Sequence, residues 1–216
     1  MVHVTDSLCA EPKSLSSNYP STIDLAVPES MLVDPSVESL QGRNLQRSNL
    51  SGRDLRYADL RGANLSGANL NQADLTGADL SGANLRNADL TQAKLVQADL
   101  SMAVLNDASL CEANLDRATL FEASLLGAVM YSASLQEANL KCAHLTQVWA
   151  VDANLQGANL EQADFRWANL SRANLGDTNL MHTCFSNANL RQATLSGTRL
   201  SEAILKNSNL QDVLFE

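Results

Sequence analysis

The sequence predicts an all-β solenoid, a coil that turns a corner every five residues and winds around its own Ala and Leu side chains. Three observations predict it. From Ala58 to Ala143 every fifth residue is Leu, Met130 excepted, and the residue two places before each is Ala. The register then runs from Leu40 to Phe215 without insertion or deletion, giving 36 centres, 31 of them Leu and the rest Met130, Ala150, Phe165, Phe185 and Phe215. Finally, nine of the ten Gly residues stand two places after a centre, with Gly176 the exception. Repetition on this scale decides what each residue is for before any other reading begins.

A period of five suits neither standard element. Five steps around an α-helix turn through about 500°, which scatters the Leu residues over the whole circumference and buries no face. In a flat strand an odd period throws successive Leu side chains to opposite sides, while Ala and Leu two apart share one side. A corner at every unit satisfies both facts. Ala and Leu point inward, the residue between them points outward, and the two residues after Leu make the bend. Gly at the second bend position fits a turn with positive φ. The outward residue is mostly Asn or Asp, whose short side chains bond nearby backbone and disfavour helix interiors. Packing near a corner explains why Ala fills 26 of the 36 small inward sites.

Ala58-Asp59-Leu60, Ala63-Asn64-Leu65 and Ala68-Asn69-Leu70 carry the A(D/N)LXX motif, and most later units repeat it. In this the chain resembles the pentapeptide-repeat family over roughly five sixths of its length. The resemblance implies a right-handed, four-sided parallel β-helix with four units per coil, so that residues twenty apart lie above one another. On that arrangement 36 units make nine coils, a stack roughly 40 Å tall at about 4.8 Å per strand.

The unbroken register predicts one solenoid domain over residues 38–216, preceded by a tail over residues 1–37 that is mostly disordered. The tail holds all four Pro residues and no Gly, with a short helix-compatible stretch at 28–34 that could cap the first coil. The formal charge of −9 divides into −4 for the tail and −5 for the solenoid. Nonspecific binding to nucleic acid or anionic membranes needs clustered Lys and Arg, and this balance argues against both. No apolar run approaches a membrane span, and the stretch from Met1 to Cys9 lacks a basic segment and an apolar core, so a cytoplasmic location is expected. Cys9, Cys111, Cys142 and Cys184 have no paired spacing and read as reduced thiols.

In chain order, the first coil has Glu38, Arg43, Ser48 and Arg53 at the small inward sites where Ala is the rule. They read either as a polar cap whose long side chains reach past the rim or as a frayed coil. Asp59, Asp79 and Asp99 then fall in one outward column. Such a ladder could hold a cation or imitate DNA, but carboxylates that accept backbone hydrogen bonds explain it more simply. Between Met102 and Val151 the outward surface turns apolar, and Phe121, Leu126, Val129, Tyr131, Trp149 and Val151, with Trp167 one coil further on, mark a candidate partner-binding site. Exposed apolar patches commonly serve interaction, and Trp and Tyr are frequent anchors. At the same place Val148 and Ala150 invert the small and large inward sites above Met130, which can flex to fill the space. The last coil ends in Ile204, Val213, Leu214 and Phe215, a candidate dimerisation surface unless Phe215 folds over the core.

Catalytic and metal chemistry are not legible. The glycine pairs Gly62/Gly67 and Gly77/Gly82 have the spacing of a phosphate loop, but Ala follows the second Gly where Lys is required. His3, His144 and His182 are scattered, and His182-Thr183-Cys184 is too sparse for a metal. The expectation is therefore a non-catalytic solenoid with no cofactor and no small-molecule substrate, acting as an interaction or regulatory platform for a protein partner. The alternative, drawn from the resemblance, is a DNA-mimic inhibitor or protector of a type II topoisomerase such as gyrase.

Overall fold

Each five-residue unit makes one corner and one short extended segment, and hydrogen bonding fixes both. In the computed structural model, which describes residues 39–198, 200 and 202–215, the N–H of the small inward residue bonds back to the carbonyl of the preceding centre. Ala58 N donates to Leu55 O at 3.1 Å and Ala63 N to Leu60 O at 3.0 Å. These are four-residue turns whose third residue has positive φ. The nine glycines expected there all adopt it, Gly62 at 61° for example. So do 25 of the described residues that are not glycine, among them Arg47, Gln97 and Trp167. Gly176 stands one place early, and Asp177 takes the left-handed conformation in its turn, at 57°. An L residue there costs roughly 1–2 kcal/mol. The turn bond and a bond to the next coil, as from Gln97 N to Asp116 O at 3.0 Å, offset that cost.

Outward residues pair in parallel at a separation of twenty, from Asn44 with Asn64 to Thr194 with Leu214. Twenty residues therefore complete one circuit, so the coil has four sides. Three backbone bonds per unit tie a coil to the next. Leu65 N donates to Asn84 O at 2.7 Å, Gly67 N to Arg86 O at 2.8 Å, and Asn84 N to Ala63 O at 2.9 Å. Sealed in this way, the backbone leaves the interior to Leu and Ala, which are buried from Ala58 to Leu195. Val148, Ala150 and Met130 are all buried, so the inverted pair keeps the core filled. Phe165 and Phe185, in successive coils of one inward column, stack with ring centroids 5.3 Å apart.

Polar intrusions are satisfied. The hydroxyls of Ser48, Thr178 and Thr198 each donate to the carbonyl three residues earlier at 2.7 Å, replacing Ala without leaving an unmet group. At the first coil Arg43 is exposed and Arg53 half-buried, so neither guanidinium enters the core. Glu38, Cys9, His3, the tail over residues 1–37 and the helix expected at 28–34 lie outside the described residues. At the other end Ile204, Leu214 and Phe215 are exposed while Leu200, Leu205, Leu210 and Val213 are partly buried. Phe215, at 56% exposure, does not fold over the core.

Candidate interaction face

The outer surface is built from the residue between the two inward sites and from the two turn residues. Where that first residue is Asn or Asp, its side-chain oxygen accepts the N–H two places on, as Asp79 does from Ser81 at 3.0 Å and Asp99 from Ser101 at 2.9 Å. In the Asp59, Asp79 and Asp99 column the serine hydroxyls add a bond at positions 79 and 99, and Arg61 lies 2.8 Å from Asp59 and 3.8 Å from Asp79. The carboxylates are thus locally compensated, in line with the simpler of the two sequence readings. Hydrogen bonds from Arg61 and Ser39 hold Asp59 far below the usual carboxylate range. Burial pushes Asp164 up, but bonds from Arg166, its backbone N–H and Thr146 leave it lowered on balance. Asn residues instead form amide ladders, with Asn189 donating to Asn169 and Asn209 to Asn189, both at 3.1 Å.

The apolar positions interrupt this pattern mainly on one face. Val129 pairs with Trp149, and Trp149 with Asn169. Trp149 is held at both ends, its N–H donating to Ala128 O at 2.9 Å and its carbonyl accepting from Met130 N at 2.7 Å. The Tyr131 ring lies 6.5 Å from the Trp149 ring, tilted by 46°. Leu126 and Trp167 occupy turn positions at the corner leading into this face. Asn106, one coil below, accepts both Ser124 Oγ–H at 2.6 Å and Leu126 N–H at 3.3 Å, so it braces the turn that presents Leu126. Ser124 there stands where Asn or Asp would ordinarily supply that bond.

Exposure divides the candidate residues. Leu126, Trp149 and Trp167 are exposed at 42%, 48% and 61%, and Val129 and Tyr131 are half-buried. Val151, expected to be part of the exposed patch, is buried at 7%. It stands one coil above Tyr131 and two residues after Trp149, and its short side chain is covered. Phe121 is half-buried and belongs elsewhere: its carbonyl accepts from Met102 N at 2.8 Å, which places it with the exposed Met102 on the preceding corner. Periodicity did not reveal the bracing by Asn106, or by Asp116, which accepts Ser134 Oγ–H at 2.5 Å and Gln136 N–H at 3.0 Å. The available signal was a serine outward with Asn or Asp eighteen residues earlier. Among the described residues no three His, Cys, Asp or Glu side chains are grouped to hold a metal, Cys111, Cys142 and Cys184 are free, and no helix is long and apolar enough to cross a membrane.

A parallel coil of four five-residue sides, closed over Ala and Leu, with function left to its outer columns, defines a pentapeptide-repeat solenoid. The chain belongs to the pentapeptide-repeat family: the family described as "Pentapeptide repeats (8 copies)" matches residues 44–82, 83–120, 113–148, 151–187 and 183–216. It is similar to HetL, a pentapeptide repeat protein involved in heterocyst differentiation regulation from the cyanobacterium Nostoc sp. strain PCC 7120, at 35% identity and a TM-score of 0.70, covering 81% of this chain and 87% of that one. Full-length QnrB1, a plasmid-mediated fluoroquinolone resistance protein, matches at 16% identity and a TM-score of 0.41 over 78% of this chain and 91% of that one. Rfr23 from the cyanobacterium Cyanothece 51142 matches at 32% identity and 0.34 over 50% and 64%. No curated protein matches the chain by sequence.

Proposed function

We propose that the chain is a non-catalytic cytoplasmic scaffold whose lateral surface binds a protein partner in a regulatory role. The observation that carries this reading is the cluster of Leu126, Val129, Tyr131, Trp149 and Trp167 on and beside one face of the solenoid, three of them more than two-fifths exposed. Single exposed apolar residues are ordinary, but two Trp and a Leu at neighbouring register positions mark a contact surface. Similarity to HetL, a protein involved in heterocyst differentiation regulation, supports the regulatory part. In affinity capture from the native cell, the intact chain should retain a partner that a Tyr131→Ala, Trp149→Ala double variant loses by at least tenfold. Equal capture by the two proteins discards the face.

The scaffold also self-associates, on this reading, through Ile204, Leu214 and Phe215, exposed at 51%, 60% and 56% at the end of the stack. Sedimentation of the intact chain and of Phe215→Asp distinguishes a dimer from a monomer. The topoisomerase reading has less support, because Arg56 and Arg61 already neutralise Asp54 and Asp59 and the solenoid carries only −5. A gyrase supercoiling assay with micromolar protein separates the two readings, and inhibition or protection there would replace the scaffold proposal.

A further inference from the structure

We infer that the partner on the Trp149 face presents an apolar anchor beside Lys or Arg side chains, as a basic amphipathic helix or peptide does. This rests on the docking reading above and adds the sign of the partner's charge. The cluster is bordered on one side by uncompensated carboxylates. Asp107 stands one coil below Gly127 at one corner of the face, so close that a Cβ on Gly127 would lie 2.7 Å from its Oδ1. Glu112 stands at the opposite corner, its N–H donating to Tyr131 O at 2.8 Å, and Asp89 lies on the face between them, one coil lower. None of the three is in an ion pair among the described residues. Asp89 accepts Thr91 N–H at 3.0 Å and Glu112 the Gln92 amide at 2.9 Å, both neutral donors. Arg86, at the corner, is the basic residue on that side, so three carboxylates against one guanidinium leave a net −2.

The other side of the cluster is neutralised. Arg172 is bound to Asp152 and Arg166 to Asp164, both at 2.6 Å. An occupant therefore meets apolar rings in the middle, negative charge towards the first coils and paired charge towards the last. Two candidates from this chain itself have the wrong sign. Residues 1–37 carry −4, five carboxylates against Lys13, and a second copy docking through this same face would bring the same acidic border. Such a border steers encounter and fixes orientation, while the rings, once a partner covers them, supply most of the affinity.

The test is a selection from a displayed random-peptide library on the full chain, followed by affinity measurement of the enriched peptides. The enriched peptides should carry Trp, Phe or Leu with Lys or Arg within a turn of it. Trp149→Ala should weaken binding at least tenfold. Asp107→Asn with Glu112→Gln should weaken it severalfold at about 50 mM salt and little at about 500 mM, where screening removes the difference. Enriched peptides that are neutral or acidic, yet lost with Trp149→Ala, overturn the charge inference and leave the docking face standing. Binding indifferent to Trp149→Ala overturns the face itself, and no enrichment at all overturns both. Circular dichroism of each variant, matching the parent, keeps misfolding out of the comparison.

Discussion

Asp54 and Arg56 show how an outward residue is held on this fold. The turn brings them within 2.6 Å, and Arg56 also donates its backbone N–H to Asp54 Oδ1 at 3.2 Å. The guanidinium's hydrogen bonds lower the Asp54 carboxyl from the ordinary 3.8 to about 2. A depressed folded-state value means that the pair's contribution is complete above about pH 4 and disappears as pH falls towards 2. Because both groups are more than half exposed, the effect on global stability is small. Carboxyl titration by NMR should place Asp54 near 2 in the parent and back towards 3.8 in Arg56→Gln. An unchanged value in the variant would show that the backbone bond, not the guanidinium, sets it. The outward position of Asp54 was legible from its place between two inward residues, because that depends only on the period. Its ion pair was not, since it depends on which rotamer the neighbouring Arg adopts in solvent.

At the scale of the five-residue unit, the corner is the costly step. Nine glycines advertised a left-handed position, and the 25 other residues that share it gave no separate signal, because Gln, Glu and Arg have no preference that names it. Register alone carried the information. Gly62 tests the conformation without a steric complication, since it has φ 61° and nothing within 4 Å of where a Cβ would stand. Gly62→Ala should therefore lower stability by about 1 kcal/mol through backbone conformation alone. Chemical denaturation measures it, and a variant as stable as the parent would show that the turn relaxes away from positive φ. The interior was the most legible part, because two inward positions per unit admit only residues that fit a narrow core. Phe165 and Phe185 were visible as substitutions at centres, yet their stacking at 5.3 Å follows only once a circuit is known to take twenty residues. The same holds for Asn106 bracing Leu126, a contact between adjacent coils.

For the molecule as a whole, twenty residues per circuit decides which outward residues become neighbours. That rule gathered Val129, Tyr131 and Trp149 onto one face and left Phe121 on another corner with Met102. Val151 shows its limit, since a position can be outward in register and still be buried. Because each coil packs only on the coils beside it, the core tolerates loss of a whole unit while the outer columns do not. Removing residues 136–140 joins Leu135 to Lys141 with the five-residue period intact, but it rotates Trp149 and Trp167 by one side away from Val129 and Tyr131. Removing only residues 136–139 breaks the period itself. Circular dichroism and Trp fluorescence of these two deletions, read together, decide whether the five-residue period holds the fold and the twenty-residue circuit sets the face. The five-residue deletion should give a folded β-structure with altered Trp149 emission, and the four-residue one a severely destabilised chain. Equal tolerance of both deletions, or unfolding by the five-residue deletion alone, would contradict this.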